Sequence, residues 1–136
     1  MDIIRRNTDY ALRLIAGLAE NYGGEPISAR RLAKSCDVSE TLACKLLQKL
    51  SSAKLVISQM GANGGFELAK SPEKISLYQV IEAVQGGICL NRCVPDTKSC
   101  PKRASCRISK NLVELQRHIE DYLKKIMLKK LLKKNS

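Results

Sequence analysis

Aromatic side chains are scarce: they make up 4% of the 136 residues, with one Phe and no Trp. A core built without them must rest on Leu, Ile, Val and Ala, which favours helices packed on helices. Histidine is nearly absent too. His118 is the only one, in a stretch that reads as helix surface, and it has no evident nucleophile beside it. With no His/Asp/Ser set and no phosphate-binding glycine loop, the sequence gives no sign of an enzyme and no catalytic residue is assigned. Long apolar runs are also missing, since nothing approaches the roughly 20 residues needed to span a bilayer. The first residues, "MDIIRRNTDYALRLIAGLAENYG", carry an acid at position 2 and Arg5–Arg6 soon after, unlike a signal peptide. The chain therefore reads as cytoplasmic with no membrane partner, in a compartment where thiols stay reduced and disulfides are rare.

Acidic residues are few as well. Thirteen Asp and Glu stand against 24 Lys and Arg, leaving a net charge of +11. Such an excess repels itself unless a polyanion shares the surface, and nucleic acid is the first candidate. Hydrophobic residues at 44% and charged residues at 27% are otherwise those of a globular chain.

What is present is ordered along the chain. Residues 8–22 read as a helix with Thr8 as its cap and Ala11, Leu14, Ile15 and Leu18 on one face. "ISARRLAKSCDVSETLACKLLQKLSSAKLV" reads as two helices joined at Cys36–Asp37–Val38, capped by Ser28 and Ser39. The second is expected to bury Leu42, Leu46, Leu47 and Leu50. It then turns Glu40, Thr41, Cys44, Lys45, Gln48 and Lys49 outward. That is a helix-turn-helix pattern, whose second helix fits the major groove. A hairpin of Leu55–Gln59 and Gly65–Leu68 with a Gly/Asn turn follows, completing a winged helix. Ser76 caps a further short helix with Val80, Ile81 and Val84 inward.

The predicted fold is therefore mainly α: a winged helix-turn-helix over residues 1–86, a cysteine-rich loop over 87–107, and a dimerisation helix with a basic tail over 108–136. The dimer is expected because Ile108, Leu112, Leu115, Ile119, Tyr122 or Leu123, and Ile126 form one apolar stripe from about 108 to 130. A stripe of that length wants a second copy of itself. The lysines of "LKKIMLKKLLKKNS" read as a solvated helix end, with contact to DNA backbone or a membrane surface as the other uses of such a segment.

"CLNRCVPDTKSCPKRASC" holds Cys89, Cys93, Cys100 and Cys106, four of the six cysteines. Thiolates are soft ligands suited to iron–sulfur clusters, zinc and copper. Lys98, Lys102 and Arg103 nearby favour the thiolate form. Only Cys89–Cys93 has the spacing of a zinc knuckle, so zinc fits less well, and a thiol or disulfide sensor is the metal-free reading. Cys36 reads as a small core residue and Cys44 as a thiol on the reading helix.

In these segments the chain resembles the IscR/NsrR group of winged-helix transcriptional regulators. "TDYALRLIAGLA", the helix-turn-helix, "GANGGFELAKSPEKISLYQVIEAVQG" and "CVPDTKSCPKRASCRISKNL" occur in that group's order and spacing, over nearly the whole chain. The resemblance implies a homodimer whose iron–sulfur cluster, of two or four irons, alters its affinity for DNA. It implies cluster ligation by Cys93, Cys100 and Cys106. For a fourth ligand it points to Asp9, whereas chemistry favours Cys89. The sequence departs from the group at Met60, where relatives carry a wing arginine, and at Ser109, where some carry a ligating histidine. The DNA-contacting residues expected are Ser28, Arg30, Arg31, Ser39, Thr41, Cys44, Lys45, Lys49, Asn63 and Gly64, on a pseudo-palindromic operator. The expected function is a repressor sensing nitric oxide, oxygen, redox or cluster status. The competing expectations are a metal-free thiol-redox or partner-regulated repressor, and a cluster-binding protein without DNA function.

Overall fold

The computed structural model describes residues 3–88, 90 and 107–132. The first apolar stripe forms helix α1 (Arg6–Glu20), with Ala11, Leu14, Ile15 and Leu18 buried. It starts two residues before the expected cap. Arg5 stands at the N-cap without a side-chain bond, and Thr8 lies inside the helix, buried. Its Oγ1 donates 2.7 Å to Gln85 Oε1, so a bond 77 residues away in sequence replaces the local cap.

Helices α2 (Ala29–Cys36) and α3 (Glu40–Ser52) start where Ser28 and Ser39 predict, each serine accepting the N–H three residues on. Between them Asp37 takes a left-handed conformation, φ 57° and ψ 48°. Val38 N–H then closes on Ala33 O at 2.9 Å, ending α2 and setting the tight turn. Strands β1 (Val56–Gln59) and β2 (Gly65–Leu68) form the antiparallel wing, in the register Val56↔Leu68 to Gln59↔Gly65. Ile27 bonds Phe66 in both directions from the far side, at 3.0 and 2.7 Å. Gly65 permits this approach, because a Cβ there would lie 2.4 Å from the Ile27 backbone.

Helix α4 (Leu77–Gln85) carries a full capping box between Ser76 and Gln79. Helix α5 (Arg107–Lys125) packs beside α4, with the Lys124 ammonium 4.8 Å from the centre of the Tyr78 ring. Burial, followed by the charges of Glu120 and Glu82, holds the Tyr78 hydroxyl above its ordinary pKa.

The α5 stripe does not run to residue 130 as one helix. The helix stops at Lys125, and the chain folds back into a 3-10 turn, Leu128–Leu131. Leu77 N–H bonds Ile126 O at 2.8 Å, Leu128 N–H bonds Ile75 O at 2.8 Å, and Lys129 N–H bonds Pro72 O at 3.1 Å. Leu128 is fully buried in the core with Leu14, Leu47, Leu50 and Ile75. A straight helix would leave Leu128 in water, whereas seating it gains roughly 2 kcal/mol of apolar burial. The lysine-rich end is thus partly a strap on the winged helix, not a solvated helix end.

Candidate nucleic-acid interface

Helix α3 buries Ala43, Leu46, Leu47 and Leu50. Residues at helical spacing opposite that face are Thr41, Lys45, Gln48 and Ser52, all exposed. Cys44 lies on the flank, half-buried, as does Cys36 in the turn, where its Sγ donates to Arg13 O at 3.5 Å. Leu42, expected inward, is only partly buried at the core edge, and Ala43 takes the inward place. Lys49 sits on the other flank, and its Nζ donates 3.3 Å to Val84 O at the end of α4. Gln48, at the centre of the outer face, is the residue that a search for charge passes over; helical periodicity alone marks it.

Ser28 and Ser39 spend their hydroxyl oxygens on the caps of α2 and α3, while Arg30, Arg31 and Lys34 point outward from α2. Among the described residues the ion pairs are Arg13–Asp9 and Lys129–Glu73, and His118 Nε2 lies 3.9 Å from Glu114 Oε1. Arg30, Arg31, Lys34, Lys45 and Lys49 are in none of them. At the wing, Met60, Gly61, Ala62 and Asn63 are exposed, Met60 at 95%, and Gly64 turns so tightly that a Cβ would meet Gln59 O at 2.3 Å. The stem is braced by Gln59 Nε2 donating to Glu67 Oε1 at 2.8 Å. The helix-turn-helix thus presents a hydrogen-bonding face of α3 with the cations of α2 and α3 around it, and the wing adds an uncharged tip.

Cys89, Cys93, Cys100 and Cys106 lie outside the described residues, so the cluster ligands expected there do too. Among the described residues no group of three or more His, Cys, Asp or Glu could hold a metal ion. Asp9 is exposed on α1 and pairs with Arg13 at 3.3 Å. Its carboxylate is exposed to solvent. The chain on either side of Cys89 is anchored: Gln85 Nε2 donates to Gly87 O at 2.6 Å, and Leu90 N–H donates to Gln116 Oε1 of α5 at 3.2 Å. No helix among the described residues is long and apolar enough to cross a membrane.

Comparison with known proteins gives the family and the fold. A model of the Rrf2 family, described as an iron-dependent transcriptional regulator, matches residues 4–134. The HTH-type transcriptional regulator NsrR of Shouchella clausii is 30% identical over 105 residues, 74% of this chain and 68% of that protein. Among solved structures, the IscR of T. potens superposes with a TM-score of 0.73 at 25% identity, over 94% of this chain and 84% of that one. CymR, the global cysteine regulator of B. subtilis, shares the fold with a TM-score of 0.77 at 24% identity, over 96% of each chain.

Proposed function

We propose, from the premise that this chain belongs to the Rrf2 family of winged-helix transcriptional regulators, that it is a homodimeric repressor whose grip on DNA is set by an iron–sulfur cluster. That it is a DNA-binding regulator and not an enzyme follows from the family and from its relatives. The observation that carries the reading is the outer face of α3. There Thr41, Lys45 and Gln48 stand exposed with no carboxylate paired to the lysine among the described residues.

In this reading Gln48 and Thr41 address base edges, and Ser39, Cys44 and Lys45 border them. Ser28, Arg30 and Arg31 hold the backbone from the start of α2. Asn63 and Gly64 bring the wing tip to the neighbouring phosphates or minor groove. Lys49 is already bonded to Val84, so its part is to fix α3 against α4 and lend charge from the flank.

Cys93, Cys100 and Cys106 would hold the cluster. The fourth ligand would be Asp9, at the expense of its bond to Arg13, or Cys89. When bound, the cluster supplies a centre whose charge and ligation change on oxidation, nitrosylation or iron loss. The chain's own part is transmission. The loop begins at Gly87, which is bonded to Gln85 of α4, and Leu90 within it is bonded to Gln116 of α5. A change in the loop therefore acts on the helix that carries Lys49's acceptor and on the helix expected to set dimer spacing.

Anaerobic selection of duplexes from a random pool tests the reading. The expected result is a pseudo-palindrome with half-sites about 10 bp, or a multiple, apart, bound by a brown, iron- and sulfide-containing protein. Gln48→Ala should relax the preference at one position of each half-site, costing about 1–3 kcal/mol there. Recovery of no preferred sequence would contradict the repressor. A colourless protein after anaerobic reconstitution, still binding a palindrome, would leave the metal-free regulator in its place.

A further inference from the structure

Beside the reading helix, Arg5, Arg6, Asn7, Thr8, Lys49, Val84 and Gln85 line an open cleft of about 330 Å³. Three of these are cations, none is a carboxylate, and none of the three cations joins an ion pair among the described residues. Such an assembly of like charge costs energy in the free protein and favours an anionic occupant. The cleft is also built with care. Gln85 Oε1 accepts from Arg5 N–H at 2.9 Å and from Thr8 Oγ1 at 2.7 Å, and its Nε2 donates to Ile3 O at 2.9 Å. One amide thus fixes the backbone that carries both arginines, while Lys49 is held from the opposite wall by Val84 O.

Lys49 joins this cleft to a second one lined by Lys45, Gln48, Lys49, Ser52 and Ala83, along the outer face of α3. The two form a continuous path from the base-reading residues to the start of α1. A duplex whose groove accepts α3 carries its sugar-phosphate backbone alongside that helix, within about 10 Å of its axis. We infer that the Arg5–Arg6–Lys49 cleft is a phosphodiester-binding site for the DNA backbone flanking the reading helix, with Gln85 as the residue that positions it. This extends the protein's footprint on DNA beyond the helix-turn-helix and wing, and it rests on the DNA-binding reading above.

The test is the salt dependence of binding by the full chain, read by fluorescence anisotropy on a selected duplex and on a scrambled one. Arg5→Gln with Arg6→Gln should lower the slope of log K against log salt by about 2 and weaken both duplexes by a similar factor, roughly tenfold or more. Lys49→Gln, which enters the cleft from another helix, should lower it by about 1. Lys110→Gln with Lys125→Gln removes equal charge from α5 and should keep the wild-type slope. The inference is overturned if the arginine pair keeps the wild-type slope, whatever Lys49→Gln does, or if the α5 pair lowers it as much. A wild type with no affinity for either duplex would remove the DNA-binding reading as well, so the two failures are distinct.

Discussion

At the scale of single residues, the winged helix depends on a few positions that only one kind of side chain can fill. Gly65 lies where Ile27 crosses the wing, and a Cβ at 2.4 Å from that backbone cannot be relieved by a rotamer change. Gly65→Ala should therefore break the paired Ile27–Phe66 bonds and destabilise the protein by about 2 kcal/mol or more, read as a lower urea midpoint. An unchanged midpoint would mean that the wing does not need the Ile27 bridge. The helix caps, unlike Gly65, are legible in the sequence. Ser28, Ser39 and Ser76 cap as read, because a cap needs only its own next three residues. Thr8 was misread for the complementary reason: its partner, Gln85, is 77 residues away and no local pattern announces it.

At the scale of elements, the unexpected feature is the strap after α5. Periodicity continues through Ile126 and predicts more helix, but the buried site for Leu128 exists only once α1, α3 and the Ile75 segment have come together. Propensity in one segment cannot reveal a hole made by three others. Leu128→Ala should cost about 2–5 kcal/mol, whereas a solvated helix end would lose almost nothing, so chemical denaturation separates the two. The strap also carries an acid-sensitive contact. The hydrogen bond and charge of Lys129 hold the Glu73 carboxyl below its ordinary value of 4.5. A depressed folded-state pKa contributes stability that is present above the ordinary value and is lost as pH falls through the folded one. The protection factors of the Lys129 and Leu128 amides, which divide out the slower intrinsic exchange in acid, should therefore fall below about pH 4.5 in wild type and much less so in Glu73→Gln.

The candidate surface was legible in part at this scale. The helix-turn-helix, the outward Thr41 and Lys45 and the wing at Gly65–Leu68 follow from spacing. Lys49's bond to Val84 and the cleft around Gln85 depend on how α1, α3 and α4 meet, which spacing does not encode.

At the scale of the whole molecule, two properties remain to be joined: assembly and control. Helix α5 leaves Ile108, Leu115 and Tyr122 at 68%, 49% and 62% exposure, seven residues apart and so along one line of the helix. We expect that line to face a second copy. Leu115→Glu with Tyr122→Glu should give a folded monomer by analytical ultracentrifugation. It should bind a full operator at least about 100-fold more weakly, since the two half-sites are no longer held by one particle. Full affinity in the monomer would sever assembly from DNA recognition.

Control of DNA binding by the cluster loop is read out by one titration. The wild-type dimer, cluster-loaded and kept anaerobic, is titrated against its selected operator, and the titration is repeated after nitric oxide treatment or removal of iron by a chelator. The Kd values should differ by tenfold or more, about 1.4 kcal/mol of coupling between loop and DNA. Equal affinities for the loaded and the stripped protein would contradict it.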